Sequence, residues 1–233
     1  MRRTLSIILT FFLATGFIYA EKVILTPKFL SNRNWVRPIN TWGFEIAFKR
    51  DQRFEATYMA EGGGSAATGT YSIKAEEITL AYDPQAIDYS FSARKCSYQK
   101  SASFVFYTAG LMCQPGDIIF ADESSERPIG DYFKIDGIQV RYLGQRSIQI
   151  KEDLVMLSAL SERANEIEYY CQYDECPEGM QTVPYLPAGS TVWVRAVSVD
   201  RYKLKGLDSR WFYVEAPISH AEVATGWIKS SIP

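Results

Sequence analysis

One histidine, His220, and four cysteines stand in a chain of 233 residues, and that scarcity removes whole classes of chemistry. Peptidases and amidases of the thiol or metal kind need a thiolate or an ion held together with imidazoles, and His220, next to Ser219 in a polar stretch, reads as a surface residue. No Cys-x-x-Cys pair occurs, so a zinc site is not expected. No run of like charge longer than a pair occurs, and with 25 basic against 27 acidic residues the net charge is -2. A surface that neutralises phosphates needs clustered Lys and Arg, so nucleic acid is not an expected partner. Paired acids such as Glu76-Glu77 and Asp122-Glu123 fall in turn-like stretches and read as solvated. The expectation is a protein that is not an enzyme and uses no cofactor and no metal.

Long apolar runs are also missing, with one exception at the start. Arg2 and Arg3 precede an apolar run over 5–13, and Ala20 offers a small residue for cleavage, which is the layout of a secretory signal peptide over 1–20. The run is too short for a permanent span, which needs roughly 18 or more apolar residues. The expectation is export to the periplasm or the cell exterior, with no membrane span after cleavage. An oxidising destination makes an even number of cysteines read as disulfides. Cys96, Cys113, Cys171 and Cys176 allow three pairings, and proximity favours Cys96 with Cys113 and Cys171 with Cys176.

Aromatics are abundant, with 15 Tyr, 13 Phe and 5 Trp, as suits side chains standing on pleated sheets. Alternation over 44–48 and 54–58 around Arg50-Asp51-Gln52 predicts a hairpin. Gly62 to Gly64 read as a turn, because no Lys-Ser or Lys-Thr follows to make a phosphate loop. Further strands are expected over 70–73, 78–82, 103–107, 117–120, 132–135, 138–142 and 147–150, with Asp136-Gly137 the strongest hairpin signal. These pieces suffice for a barrel or a two-layer sandwich. Over 152–170, Leu154, Leu157, Leu160, Ala164 and Ile167 recur every three to four residues, which allows a short amphipathic helix or, alternatively, a coil linker. The expected division is a signal peptide over 1–20, a β-rich domain over 21–160 and a second small β-barrel over 161–233.

The last segment alternates over 191–197, with Val192, Val194 and Ala196 forming an apolar face expected to point inward. Its order of Gly189, the Val192 and Val194 strand, a charged loop, Trp211 and Val214, and Gly226-Trp227-Ile228 resembles the bacterial SH3-type (SH3b) domain. The opening, Tyr-Tyr-Cys-Gln-Tyr-Asp-Glu-Cys-Pro-Glu-Gly, departs from the family's usual Asn-Val-Arg start, and the connection before Gly226 is long. Trp42-Gly43-Phe44, Phe54, Gly69-x-Tyr71-x-Ile73 and Ile78-x-Leu80 resemble the repeating half of small lipocalin-like barrels. The first resemblance implies a small barrel that binds ligands of the cell envelope, a cell-wall peptide, glycan or protein. Trp193, Tyr202, Trp211 and Tyr213 are the candidate contacts, with Arg195 among basic residues that would form a polar rim. The second allows an alternative, a carrier holding an apolar small molecule in the N-terminal barrel. Non-reducing peptide mapping of the exported chain is expected to find no free thiol, and a free Cys171 or Cys176 would reopen the metal and redox readings.

Overall fold

The computed structural model describes residues 23–37, 44–60, 63–84, 93–101, 104–115, 118–170, 181–218 and 223–229. The signal-peptide segment, Cys171, Cys176 and His220 lie outside them. The described chain is nearly all β, as the aromatic-rich, alternating sequence suggests.

Eight strands form a closed antiparallel barrel in which each strand pairs with its neighbours in sequence. They are β1 (Trp35–Val36), β2 (Phe44–Phe48), β3 (Arg53–Ala60), β4 (Gly63–Lys74), β5 (Glu77–Tyr82), β6 (Lys95–Gln99), β7 (Gly110–Gln114) and β8 (Ile118–Asp122). Alternation sends Ile46, Phe48, Phe54, Tyr71, Ile78, Leu80, Leu111 and Phe120 inward, where they form one buried cluster. Phe48 meets Tyr71 edge-on at 5.0 Å, and Phe54 meets Tyr82 in the same way at 5.0 Å. Cys96 and Cys113 stand directly opposite each other on β6 and β7 and form the expected disulfide.

Closure rests on two residues. Trp35 pairs with Ile46 of β2 on one side and Asp122 of β8 on the other. Its ring is buried, and its indole N–H donates to the Leu30 carbonyl at 3.0 Å. Leu30 belongs to α1 (Pro27–Ser31), a short helix started by Thr26, whose Oγ1 accepts from the Phe29 N–H at 3.0 Å, and by Pro27 in the first turn. The helix thus adds Leu30 to the barrel core. Asp122 is buried rather than solvated as its acidic neighbourhood suggested, because Arg33 Nε donates to it at 2.7 Å while the Arg33 guanidinium lies over the Phe29 ring at 3.6 Å.

Strand partners change between β8 and β9 (Tyr132–Ile135). The second sheet has five antiparallel strands in the order β17-β16-β13-β10-β9. Besides β9 it contains β10 (Ile138–Gln149), β13 (Thr191–Ser198), β16 (Trp211–Pro217) and β17 (Val223–Lys229). Strands β9 and β10, which precede residue 160, therefore pair with the later strands. Asp136 and Gly137 join them with φ of 49° and 83° in a two-residue turn, the positive pair that a type I′ hairpin requires. Two small ribbons complete the chain, β11 (Tyr169–Tyr170) with β12 (Thr182–Val183), and β14 (Tyr202–Leu204) with β15 (Leu207–Ser209).

Four local expectations are corrected. Gly63 and Gly64 open β4 opposite Ala60 and Met59 instead of belonging to a turn. Residues 138–142 and 147–150 are not two strands, because β10 runs through to Gln149 with an irregularity after Tyr142, where Gly144 has φ of 79°. Residues 104–107 turn instead of extending, with Val105 at φ of 52° and Tyr107 bridging Glu126. The turn lets Phe104 lie against Gly110 of β7 while Phe106 enters the core of the second sheet. No helix forms over 152–170. Backbone bonds from Leu154 to Leu186 and from Leu157 to Trp227 take the place of helical ones, and of the spaced apolar residues Leu157 is fully buried, beside Met156, while the others are half-buried. No helix among the described residues is long and apolar enough to cross a membrane.

Replacing Trp35 by Ala is expected to destabilise the protein by about 3–5 kcal/mol, the usual cost of emptying a buried aromatic site. Trp35→Phe should cost less, since it keeps most of the ring and loses the bond to Leu30. Denaturant unfolding of both variants checks this.

Candidate functional site

Strand β13 reads Thr-Val-Trp-Val-Arg-Ala-Val-Ser, and between its polar ends it is apolar on both sides but for one arginine. Its pairing with β16 runs Val194 to Val214 and then Ala196 to Tyr213, so Arg195 is an extra residue opposite no partner. That is a β-bulge, which kinks a strand and redirects the side chains beyond it. Val192 and Val194 accordingly pack on one face with Ile150, Met156 and Val214, whereas Ala196 packs on the other with Phe106, Tyr142 and Trp211. The single inward face expected for Val192, Val194 and Ala196 is therefore split in two, since a one-residue slip exchanges the faces of a strand.

The bulge places Arg195 in the interior, 4% exposed. Its Nη1 lies 3.4 Å from Oε1 of Glu215, which is fully buried, and its Nη2 donates to the Tyr142 hydroxyl at 3.3 Å. The guanidinium carbon stands 4.3 Å from the centre of the Phe106 ring, and Glu126 Oε1 is 3.9 Å from Nη2. The Tyr142 hydroxyl donates in turn to Glu126. Glu126 is the outer member, with its side chain 45% exposed.

Burial sets the protonation of this group. It pushes the Glu215 carboxyl above the usual carboxylate range, and the attraction of Arg195 recovers only part of the shift. Burial opposes charge on Arg195 as well, but Glu215, Tyr142 and Tyr107 together hold its pKa above the ordinary value. The Tyr142 hydroxyl is pushed up by burial and by its bond to Glu126, so it serves as a donor and not as a nucleophile.

Sequence reasoning placed Trp193, Tyr202, Trp211, Tyr213 and Arg195 on a binding surface. Trp211 and Tyr213 are buried in the core that also holds Phe106 and Trp227, and Arg195 is buried beside them instead of forming a rim. Trp193 and Tyr202 are half-buried and stand on different strands, β13 and β14. Trp193 faces Ser147 and Glu215 near the start of β13, while the Tyr202 carbonyl accepts from the Trp211 indole at 3.2 Å. Of the nearby basic residues, Arg201 is held by Asp208 and Lys205 by Glu166. Glu215, Tyr142 and Phe106 escaped sequence reasoning. A signal for Glu215 was present, a lone acid within Phe-Tyr-Val-Glu-Ala-Pro, in a strand otherwise apolar on both faces.

Gly226, in the closing Gly-Trp-Ile, is required by contact, since a Cβ there would come within 2.8 Å of the Leu157 carbonyl oxygen. Among the described residues no group of three or more His, Cys, Asp or Glu side chains could hold a metal ion. No protein-family model, curated protein or solved structure matches this chain.

Because the fold favours neutral Glu215, the stability tied to that group is full below the ordinary carboxylate range and is lost as pH rises through its raised pKa. Arg195→Met should remove about 3–5 kcal/mol at neutral pH, because it strands a buried carboxylate, and less near pH 5, where Glu215 takes up a proton more readily. Adding Glu215→Gln to that variant should restore most of the loss. Denaturant unfolding of the single and double variants at both pH values measures this, and an equal loss at both would rule out the carboxylate as its source.

Proposed function

We propose that this chain is an exported, non-enzymatic binding protein whose C-terminal sheet is an SH3-like module for cell-envelope or extracellular ligands, a cell-wall peptide, glycan or protein. The observation that carries the reading is that residues of the SH3b resemblance meet in one sheet. Tyr213 pairs with Trp227, Val214 with Gly226 and Phe212 with Ile228, next to the strand of Val192 and Val194. The bridge from Leu157 to Trp227 adds an outer segment to that sheet, as a small closed barrel would need. Gly189, with φ of 94°, makes the turn before β13 that the resemblance calls for.

Export is supported by the Cys96–Cys113 disulfide, since such bonds persist in oxidising compartments. The eight-stranded up-and-down barrel is in keeping with the lipocalin-like resemblance. A carrier function has less support, because Trp35, Phe48, Phe54, Tyr71 and Phe120 occupy the barrel interior in one packed cluster.

Of the candidate contacts, Trp193 and Tyr202 are half-exposed. Retention of the purified chain on isolated cell wall at moderate salt tests the proposal. Trp193→Ala and Tyr202→Ala should each weaken retention roughly five- to tenfold, the scale of a residue worth about 1 kcal/mol or more at an interface. No retention of the unaltered chain would count against the envelope reading.

A further inference from the structure

The aromatic face of the second sheet is covered by a piece of the barrel. Residues 104–107 connect β6 to β7, yet Phe106 is fully buried among sheet residues. Its ring stacks on Tyr142 at 5.7 Å, meets Phe133 edge-on at 6.3 Å and approaches Tyr213 at 6.0 Å. Arg195 lies over it from the bulge. Trp211, Tyr213 and Arg195, the residues whose types suit ligand contact, thus share a core with this turn.

Two features separate the turn from an ordinary core segment. Val105 adopts φ of 52°, a left-handed conformation that a β-branched residue adopts only under constraint. The constraint is visible, since Arg127 Nε donates to the Val105 carbonyl at 2.9 Å and the Arg127 N–H donates to the Phe106 carbonyl at 2.9 Å. The turn meets Arg195 with the Phe106 ring and the Tyr107 side chain, yet it leaves other polar groups of the face unbonded. Arg195 Nε and the Trp227 indole N–H are buried and make no hydrogen bond with any described residue, and the buried Glu215 carboxylate meets the Arg195 guanidinium as an ion pair at 3.4 Å without a hydrogen bond. Buried polar groups are normally bonded, so the two donors and the second carboxylate oxygen can each take a partner that the turn does not supply.

We infer that this face is the module's ligand site and that residues 104–107 act as an internal competitor occupying it. The inference rests on the binding reading above and names its ligand class, a peptide segment with an aromatic side chain. The ring would replace Phe106, and the backbone N–H and C=O groups would serve Glu215 on one hand and Arg195 and Trp227 on the other. Being tethered, the turn acts at a high effective concentration. An outside peptide therefore binds weakly until the turn is displaced, and its apparent affinity falls by the fraction of molecules that are open.

The test uses the full chain and an acetylated peptide of residues 104–108, Phe-Val-Phe-Tyr-Thr, with two lysines appended for solubility. Phe106→Ala should bind it at least tenfold more tightly than the unaltered chain, and a control peptide with Ala at the central position should bind neither. Val105→Gly, which relaxes the closed turn, should bind more weakly than the unaltered chain. If Phe106→Ala is unfolded, the readout is recovery of its thermal transition on adding the peptide. A folded Phe106→Ala that ignores the peptide, an unfolded one that it does not rescue, a control peptide that binds as well, or a Val105→Gly whose binding is not weakened would each overturn the inference. No wall material is present, so loss of wall retention with intact peptide binding would count against the envelope reading alone.

Discussion

A single buried arginine ties the two halves of the fold together. Arg195 reaches the interior because β13 bulges at its position, and from there it touches the sheet through Glu215 and Tyr142 and the barrel connection through Phe106 and Glu126. Placing a guanidinium in an apolar core is costly unless its charge and its donors are answered. The surrounding positions show that requirement. A carboxylate stands on the neighbouring strand, a hydroxyl faces the guanidinium, and an aromatic ring offers its electron-rich face. Removing the bulge would leave the strand regular and turn the alternation so that Arg195 no longer met these groups.

The barrel is built on a simpler logic. Alternating strands bury one face each, and sequence neighbours pair, so the meander needs only a way to close. That role falls to β1, two residues long, with Trp35 filling the space and Arg33 answering Asp122. Aromatics at the barrel centre fill it with rings, several of them in edge-on contact.

How much of this was legible in the sequence depends on whether a feature is periodic. The hairpin at Asp136-Gly137, the pairing of 44–48 with the next strand, and the Cys96–Cys113 bond follow from local pattern and spacing, and they stand in the structure as read. The bulge at Arg195 does not, because one extra residue leaves the alternation of letters intact while reversing what they face. The same holds for residues 104–107, whose Phe-Val-Phe alternation reads as a strand although tertiary contacts place the rings against different neighbours. The spacing of Leu154, Leu157 and Leu160 suggested a helix for the converse reason, since irregular chain that buries residues one at a time can imitate a helical period. Glu215 is visible as an anomaly, a charge in an apolar strand, and its partner is Arg195, whose basic neighbours in sequence suggest a surface rim.

The most direct measurement is the nuclear magnetic resonance of the Arg195 side chain in the intact protein. A buried guanidinium over the Phe106 ring should give an Nε–H signal that exchanges slowly with water, shifts upfield through the ring current, and shows dipolar contacts to the Phe106 and Tyr142 rings. An Arg195 Nε–H that exchanges as fast as that of free arginine, with no contact to Phe106, would contradict the account.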